Sequence, residues 1–343
     1  MMISPGPANH LGDIDGLRVG HAHDVTLRSG VSVIVPDAPA IVGVSVPGGG
    51  PGTRETDALQ PGTLVDRADA IVLSGGSVYG LDAASGVTAA MGAQGRGFAT
   101  GAPVVSPIVP AAILFDLANG GDKNWGDTPP YAALGRDAYA AADKDFALGT
   151  AGAGYGAQAG QVKGGMGSAS VAVDGAVKAA ALIAVNPLGG VSDAQGRFWA
   201  QPYALPVNGE PEFGYKAKAA QPADATAHPL AHSKLATALG NTTIGVIAVT
   251  ADLTVAEAKR IAIMAQDGLA RAIRPVHTPF DGDALFVLAT GQEALVEDEA
   301  MRPVALAALG ALAADCAARA IARGVWLAEG LDQMPAYRDL FSG

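Results

Sequence analysis

Apolar positions recur along this chain with two periods, and the switches between them mark out its elements. Near the N-terminus, Asp13–His21 reads as a turn entering a short strand, Gly30–Pro36 alternates as a second strand and Ala40–Val46 as a third. The short turns between them predict an antiparallel start. Ala68–Leu73 reads as a buried strand, and the glycine corner Ser74–Gly80 leads from it into a helix reaching about Met91. Apolar runs at 103–105 and 113–115 precede a loop rich in Gly, Asn, Asp and Pro over Ala118–Pro130. Tyr131–Ala142 is helical in character, with Tyr131, Leu134 and Ala138 on one stripe.

Further on, Ala169–Val173 and Val177–Val185 predict a hairpin about the Asp174-Gly175 turn, and its second strand runs directly into Asn186-Pro187. From Ser192 to Leu239 the pattern is polar and irregular, with prolines at 202, 206, 211, 222 and 229, which predicts a long connection. An apolar strand then starts at Thr242 and reaches Thr250. Thr254 and Glu257 form a capping box opening a helix to about Ile273, whose apolar face carries Ala258, Ile261, Ala262, Ala265 and Leu269. Ala284–Thr290 reads as a strand. The last helix, Arg302 to about Arg323, is apolar on most sides and is expected to be well buried or to sit at a subunit contact.

Composition narrows the class. With 49% hydrophobic residues the chain can bury a substantial core, and its 46 glycines and few aromatics predict close backbone packing and tight turns. Lys and Arg number 22 against 33 Asp and Glu, a balance of −11 that argues against a nucleic-acid or anionic-membrane partner. The single cysteine, Cys316, allows neither an intrachain disulfide nor a Cys-based metal cluster. Met1–Gly16 lacks a basic region followed by an apolar core, and no uninterrupted apolar run reaches membrane-spanning length, so the expectation is a cytoplasmic protein. Gly75, Gly76 and Gly80 do not have the G-x-G-x-x-G spacing of a nucleotide loop. His228 and His232 are separated by Pro229 and lack an acidic third ligand, so no metal is expected there.

Chemistry concentrates where the long connection meets the strand, at Gly240-Asn241-Thr242-Thr243. Turn and β propensities account for these residue types by themselves. The chemical reading is that the Thr242 hydroxyl attacks the Asn241 carbonyl, shifts the acyl group from nitrogen to oxygen, and lets water release a chain beginning at Thr242. Such a threonine carries nucleophile and base together, since its hydroxyl can pass a proton to its own α-amine, of ordinary pKa about 7.7–8.0. Elsewhere, Asn186 is either a turn residue or an oxyanion donor. Lys163 is either a solvated loop lysine or a charge held near a carbonyl site, and Asp281 and Asp283 are either turn acids or groups orienting the threonine.

Several ordered stretches resemble one family: Asp15–His21, Pro51–Asp57, Leu73–Ala83, Ala151–Gly156, Lys163-Gly164-Gly165, Asn241–Val246 and Asp281-Gly282-Asp283. Together they look like the DmpA-type self-processing aminopeptidases, the L-aminopeptidase/D-esterase family, whose relatives include β-aminopeptidases and the nylon-oligomer endohydrolase. The resemblance implies an α+β fold, a four-layer αββα sandwich of the N-terminal-nucleophile kind. It further implies a single catalytic domain over residues 1–343, cut into an α chain (1–241) and a β chain (242–343), with no metal or organic cofactor. Homo-oligomers of such pairs, four pairs among them, are the family's assemblies. Thr242 corresponds to the nucleophile, Asn186 to the oxyanion-binding Asn, Lys163 to the lysine of the Lys-Gly-Gly form, and Asp281 and Asp283 to the acids that network with the nucleophile. Two positions depart from the pattern: Gln161 stands where some relatives carry Lys, and Phe115 where some carry an oxyanion-binding Tyr. The implied substrates are short peptides with a free amino terminus, their amides and esters, or β- and ω-amino amides. An acyltransferase of the ornithine acetyltransferase type and an uncleaved binding protein are the alternatives.

Overall fold

A computed structural model describes residues 2–214, 226, 228, 230–234 and 240–341. In chain order its strands begin with β1 (Ile3–Ser4), β2 (Leu17–Asp24), β3 (Ser29–Pro36), β4 (Ala40–Ser45), β5 (Thr53–Arg54), β6 (Arg67–Ala68), β7 (Ile71–Ser74) and β8 (Ala111–Ile113). They continue with β9 (Gln158–Ala159), β10 (Val162–Lys163), β11 (Gly165–Val173), β12 (Ala176–Asn186), β13 (Thr242–Ala251) and β14 (Ala284–Glu293). The helices are α1 (Asp82–Ala93), α2 (Tyr131–Ala140), α3 (Val255–Ala272), α4 (Arg302–Leu327) and the short α5 (Tyr337–Phe341).

Alternation along single strands shows how these elements stack. On β3, Val31, Val33 and Val35 pack with Val87, Met91 and Tyr131 of α1 and α2, while Ile34 faces the other way, toward Val246 and Phe286. On β13, Ile244, Val246 and Ala248 share that inner layer, and Ile247 and Val249 point outward to Ile261, Leu269 and Ile321 of α3 and α4. Each central strand is thus apolar on both faces, and each sheet is buried between a helix pair and the other sheet. The result is the expected αββα sandwich. One sheet has seven strands in the order β1-β11-β12-β13-β14-β4-β6, the other five in the order β2-β3-β7-β8-β5.

The expected hairpin is β11–β12, closed by Asp174 and Gly175 with φ of 50° and 86°. Positive φ at both central residues gives the turn the twist that its flanking strands require. β13 pairs antiparallel with β12 and parallel with β14, α3 forming the crossover between the parallel pair. The capping box at Thr254 and Glu257 is formed, and α3 starts there.

Two early expectations need correction. β2 and β3 pair antiparallel, but β4 leaves that sheet and pairs with β14 and β6 in the other one. Ala68–Leu73 is likewise not one strand: β6 belongs with β4 and β7 with β3, so the chain changes sheets at Asp69. Asp69 is buried at this crossing, its carboxylate accepting the Ile108 amide at 2.9 Å. The apolar run at 103–105 forms no strand, and Val104 is exposed.

By length and composition α4 is apolar enough to cross a membrane, yet it lies along β11 as a core helix. Contact is direct because glycines face each other. A Cβ on Gly167 would stand 1.9 Å from the Ala320 carbonyl oxygen and 2.5 Å from the Gly324 nitrogen. Gly167→Val should therefore destabilise the fold by about 3 kcal/mol or more, since backbone cannot yield as a side-chain tip can. Chemical denaturation measures this, and an unchanged midpoint would contradict so close a helix–sheet contact.

Next to Ala320 on α4, Arg319 is buried and all three of its nitrogens are engaged. Nε and Nη2 each reach Glu212 at 2.8 Å, Nη1 donates to the Ser170 carbonyl at 2.7 Å, and Nη2 also donates to Asn9 Oδ1 at 2.8 Å. One guanidinium thereby joins the N-terminal segment, β11, α4 and the middle of the long connection.

Candidate active site

The ends of two paired strands build the site. Thr242, the first residue of β13, is the register partner of Asn186, the last residue of β12. Just before it, Asn241 pairs in parallel fashion with Asp281, so the acid loop runs alongside the junction. Gly240 has φ +105°, and a Cβ there would lie 2.2 Å from the Phe115 ring, so only glycine admits this approach.

Asn241 and Thr242 are buried. The Thr242 hydroxyl donates to the Asn241 carbonyl oxygen and accepts the Gly282 N–H at 3.1 Å. That same N–H reaches the Asn241 carbonyl oxygen at 3.0 Å. A single backbone amide thus touches both the hydroxyl and the carbonyl of the peptide before it.

The acids flanking Gly282 hold main chain. Asp283 accepts the Thr243 amide at 2.7 Å through one oxygen, and the other lies 3.1 Å from the His277 amide and 2.8 Å from His277 Nδ1. Asp281 accepts the Leu188 amide at 3.0 Å, the Thr278 amide at 3.1 Å and the Thr278 hydroxyl at 2.5 Å. Burial, with the neighbouring Asp283 charge, raises the Asp281 carboxyl above its ordinary range. Both acids fix the strand ends that carry Asn186 and Thr242, and the atom that touches the threonine hydroxyl is the glycine amide between them. Behind this loop lies the glycine-rich stretch after β4, with Gly48 N–H on the Asp283 carbonyl at 3.3 Å and Gly50 N–H on that of Asp281 at 2.9 Å.

Asn186 is oriented from three sides. Its Oδ1 accepts the Gln158 amide at 2.9 Å and the Lys234 ammonium at 3.0 Å, and its Nδ2 donates to the Phe115 carbonyl at 3.0 Å. An amide NH₂ has two hydrogens, so one remains beyond the Phe115 bond. Phe115 contributes through its main chain here, so its lack of a hydroxyl does not remove it from the site.

Lys163 departs from the solvated-loop reading. It is fully buried and donates to the Gly154 carbonyl at 3.0 Å and the Gly164 carbonyl at 2.8 Å. Those bonds anchor the glycine loop and do not go to Thr242 or Asn186. Burial lowers its ammonium to about 7, against the pull of Asp116.

Lys234 was not legible from the sequence. It lies in the irregular connection, where no periodicity marks a buried position, and most of the approach from Ala217 to Leu239 falls outside the described residues. Burial lowers its ammonium to about 7 as well; Asp281 opposes that fall and Lys163 adds to it. A small cleft opens here, with Phe115, Asp116, Asn186, Lys234, Gly240 and Asn241 in its wall. Among the described residues no cluster of His, Cys, Asp or Glu has the arrangement of a metal site.

Comparison with known proteins places nearly the whole chain beside a family of peptidases. Residues 9–336 match the model of peptidase family S58. An uncharacterized aminopeptidase of Mycobacterium tuberculosis is 44% identical over 98% of each chain. A 6-aminohexanoate-oligomer endohydrolase of a Kocuria species is 32% identical over 82% of this chain and 74% of its own. Among solved structures, the L-aminopeptidase D-Ala-esterase/amidase of Ochrobactrum anthropi, described as a variant of the Ntn hydrolase fold, has a TM-score of 0.65 at 19% identity, covering 96% of this chain and 89% of its own. The sandwich thus shares the Ntn hydrolase fold of that structure.

Proposed function

The chain belongs to peptidase family S58, the DmpA-type hydrolases, and from that premise we propose that it cuts its own Asn241–Thr242 bond and then hydrolyses short amides through the freed Thr242. The observation that carries this reading is the shared Gly282 N–H, 3.0 Å from the Asn241 carbonyl oxygen and 3.1 Å from the Thr242 hydroxyl oxygen. As the hydroxyl attacks, negative charge grows on that carbonyl oxygen, where the amide donor already stands. The hydroxyl proton goes to the departing Thr242 nitrogen, an ester replaces the amide, and water cleaves the ester. The products are an Asn241 carboxylate and a Thr242 amine.

In turnover the freed amine takes the hydroxyl proton while Thr242 Oγ1 attacks the substrate carbonyl. The remaining Asn186 N–H stabilises the oxyanion. The leaving amine departs with the proton, and water releases the acid from the acyl-threonine. Substrates are short peptides with a free amino terminus, their amides and esters, or β- and ω-amino amides; the 6-aminohexanoate-oligomer relative favours including the last group. We place the enzyme in the cytoplasm as a homo-oligomer of αβ pairs.

N-terminal sequencing of the purified protein tests the cut: two chains are expected, the second beginning at Thr242. A preparation that hydrolyses amides while containing only intact chain would rule the mechanism out. Product analysis with an added amine separates hydrolysis, which yields free acid, from acyl transfer.

The shared amide makes a second prediction. A Cβ on Gly282 would stand 2.7 Å from the Thr242 hydroxyl oxygen and 2.8 Å from the Gly50 carbonyl oxygen. Gly282→Ala should therefore slow self-cleavage about 10²-fold, the cost of shifting a reacting group by roughly an ångström. The rate at which intact chain disappears on a denaturing gel measures it, and cleavage at the wild-type rate would remove Gly282 from the mechanism.

A further inference from the structure

We propose that Lys234 is a positioning residue for turnover: its ammonium orients and polarises the Asn186 amide, so that the remaining Asn186 N–H meets the substrate oxyanion as a strengthened donor. The inference rests on the function proposed above. A carboxamide has two ends of nearly equal size and opposite polarity. Turned over, Asn186 would present oxygen to a developing negative charge and repel it.

The surroundings permit one orientation. Gln158 N–H and the Lys234 ammonium both point at Oδ1, at 2.9 and 3.0 Å, and the Phe115 carbonyl faces Nδ2 at 3.0 Å. A reversed amide would set donor against donor twice and carbonyl against carbonyl once. Of the two groups on Oδ1, only the ammonium is charged. A cation bonded to an amide oxygen draws electron density from the nitrogen, and the chain of bonds from Nζ through the amide to an oxyanion is cooperative.

Lys234 is also held where it can do this. Its own N–H donates to the Leu188 carbonyl at 3.0 Å, and its ammonium reaches the Asn186 carbonyl at 3.2 Å as well as Oδ1. Leu188 in turn gives its amide to Asp281. The segment leading to the cut is thereby pinned to the strand end that carries Asn186, and its lysine lies in the wall of the cleft that Asn186 also lines. Among the described residues, Asp281 and Lys163 act on its charge with opposite sign.

A double-mutant cycle on the two-chain enzyme tests the role. Lys234→Met should lower kcat about 10- to 100-fold with KM nearly unchanged, less than the loss of an oxyanion donor itself. In the Asn186→Ala background the same change should cost nothing further, because the lysine acts through that amide. Should Lys234→Met fail to accumulate as folded protein, Lys234→Gln, which keeps N–H donors without the charge, enters the same cycle. Equal losses in both backgrounds, or a loss confined to KM, would overturn the assignment while leaving the proposed function standing. An uncut wild type without amide hydrolysis would instead overturn the function on which it rests, before the cycle is begun.

Discussion

Thr242→Ala should give a single uncut polypeptide whose amide hydrolysis has fallen by about 10⁶-fold, the scale on which a hydrolase loses its nucleophile. Both reactions proposed for this chain use the same oxygen, and the second also uses the amine that the first one frees. Loss of the hydroxyl thus stops maturation and turnover together. Thr242→Ser, which keeps the oxygen, should still be cut and active. Thr242→Val, which keeps the branched shape, should behave like the Ala variant, and this separates chemistry from packing at a position buried in the β13 ladder. Denaturing electrophoresis beside an amide assay reads all three. An alanine variant that hydrolyses amides at even one-hundredth of the wild-type rate would assign the reaction to another residue.

Arg319→Met should be the most damaging change far from that chemistry, costing about 3–5 kcal/mol because it removes the two-nitrogen charge partner of a buried carboxylate and leaves it Arg323 at 3.3 Å as its remaining cation among the described residues. Arg319 and Glu212 are almost wholly buried, at 1% and 0% side-chain exposure. Burial alone would raise the Glu212 carboxyl; the hydrogen bonds and charge of Arg319, together with hydrogen bonds from Asn9 and the Leu205 amide, more than reverse this, leaving it below the ordinary carboxylate value. A carboxylate depressed in the folded state contributes stability above its unfolded pKa, about 4.3, and loses that contribution as pH falls through the folded value. The wild type should therefore hold its denaturation midpoint down through weakly acidic pH and lose stability only at lower pH. In Arg319→Met that acid-side loss should shrink or reverse, because Glu212 then takes up a proton more readily when folded and part of the penalty is recovered as pH falls. Guanidinium titrations at several pH values give both numbers. A variant within 1 kcal/mol of wild type would show that the cluster is not holding the segments it joins.

Much of this architecture could be read from patterning. The hairpin at Asp174-Gly175, the Thr254 capping box and the continuously apolar β13 each follow from local chemistry, and each lies where the sequence places it. Sheet membership did not follow, because an apolar residue is equally content in either of two stacked sheets. The sheet change at Asp69 needs knowledge of the Ile108 amide, which is remote in the chain. Within the site, Asn186, Thr242, Asp281 and Asp283 were legible as motif residues. What escaped were groups whose role is set by contact alone: a backbone N–H at Gly282, the Phe115 carbonyl, and the buried lysines. Lys163 and Lys234 look like solvent residues in sequence because the carbonyl oxygens that receive them leave no trace in side-chain pattern.

The register of β12 against β13 carries a final consequence. From Ala179↔Val249 to Asn186↔Thr242 the two strands are laced without interruption, and the bond proposed to be cut lies just beyond the last pair. Cutting there removes no rung of that ladder. The mature heterodimer would then be born already assembled, its halves never having met by diffusion, and dilution alone should not part them.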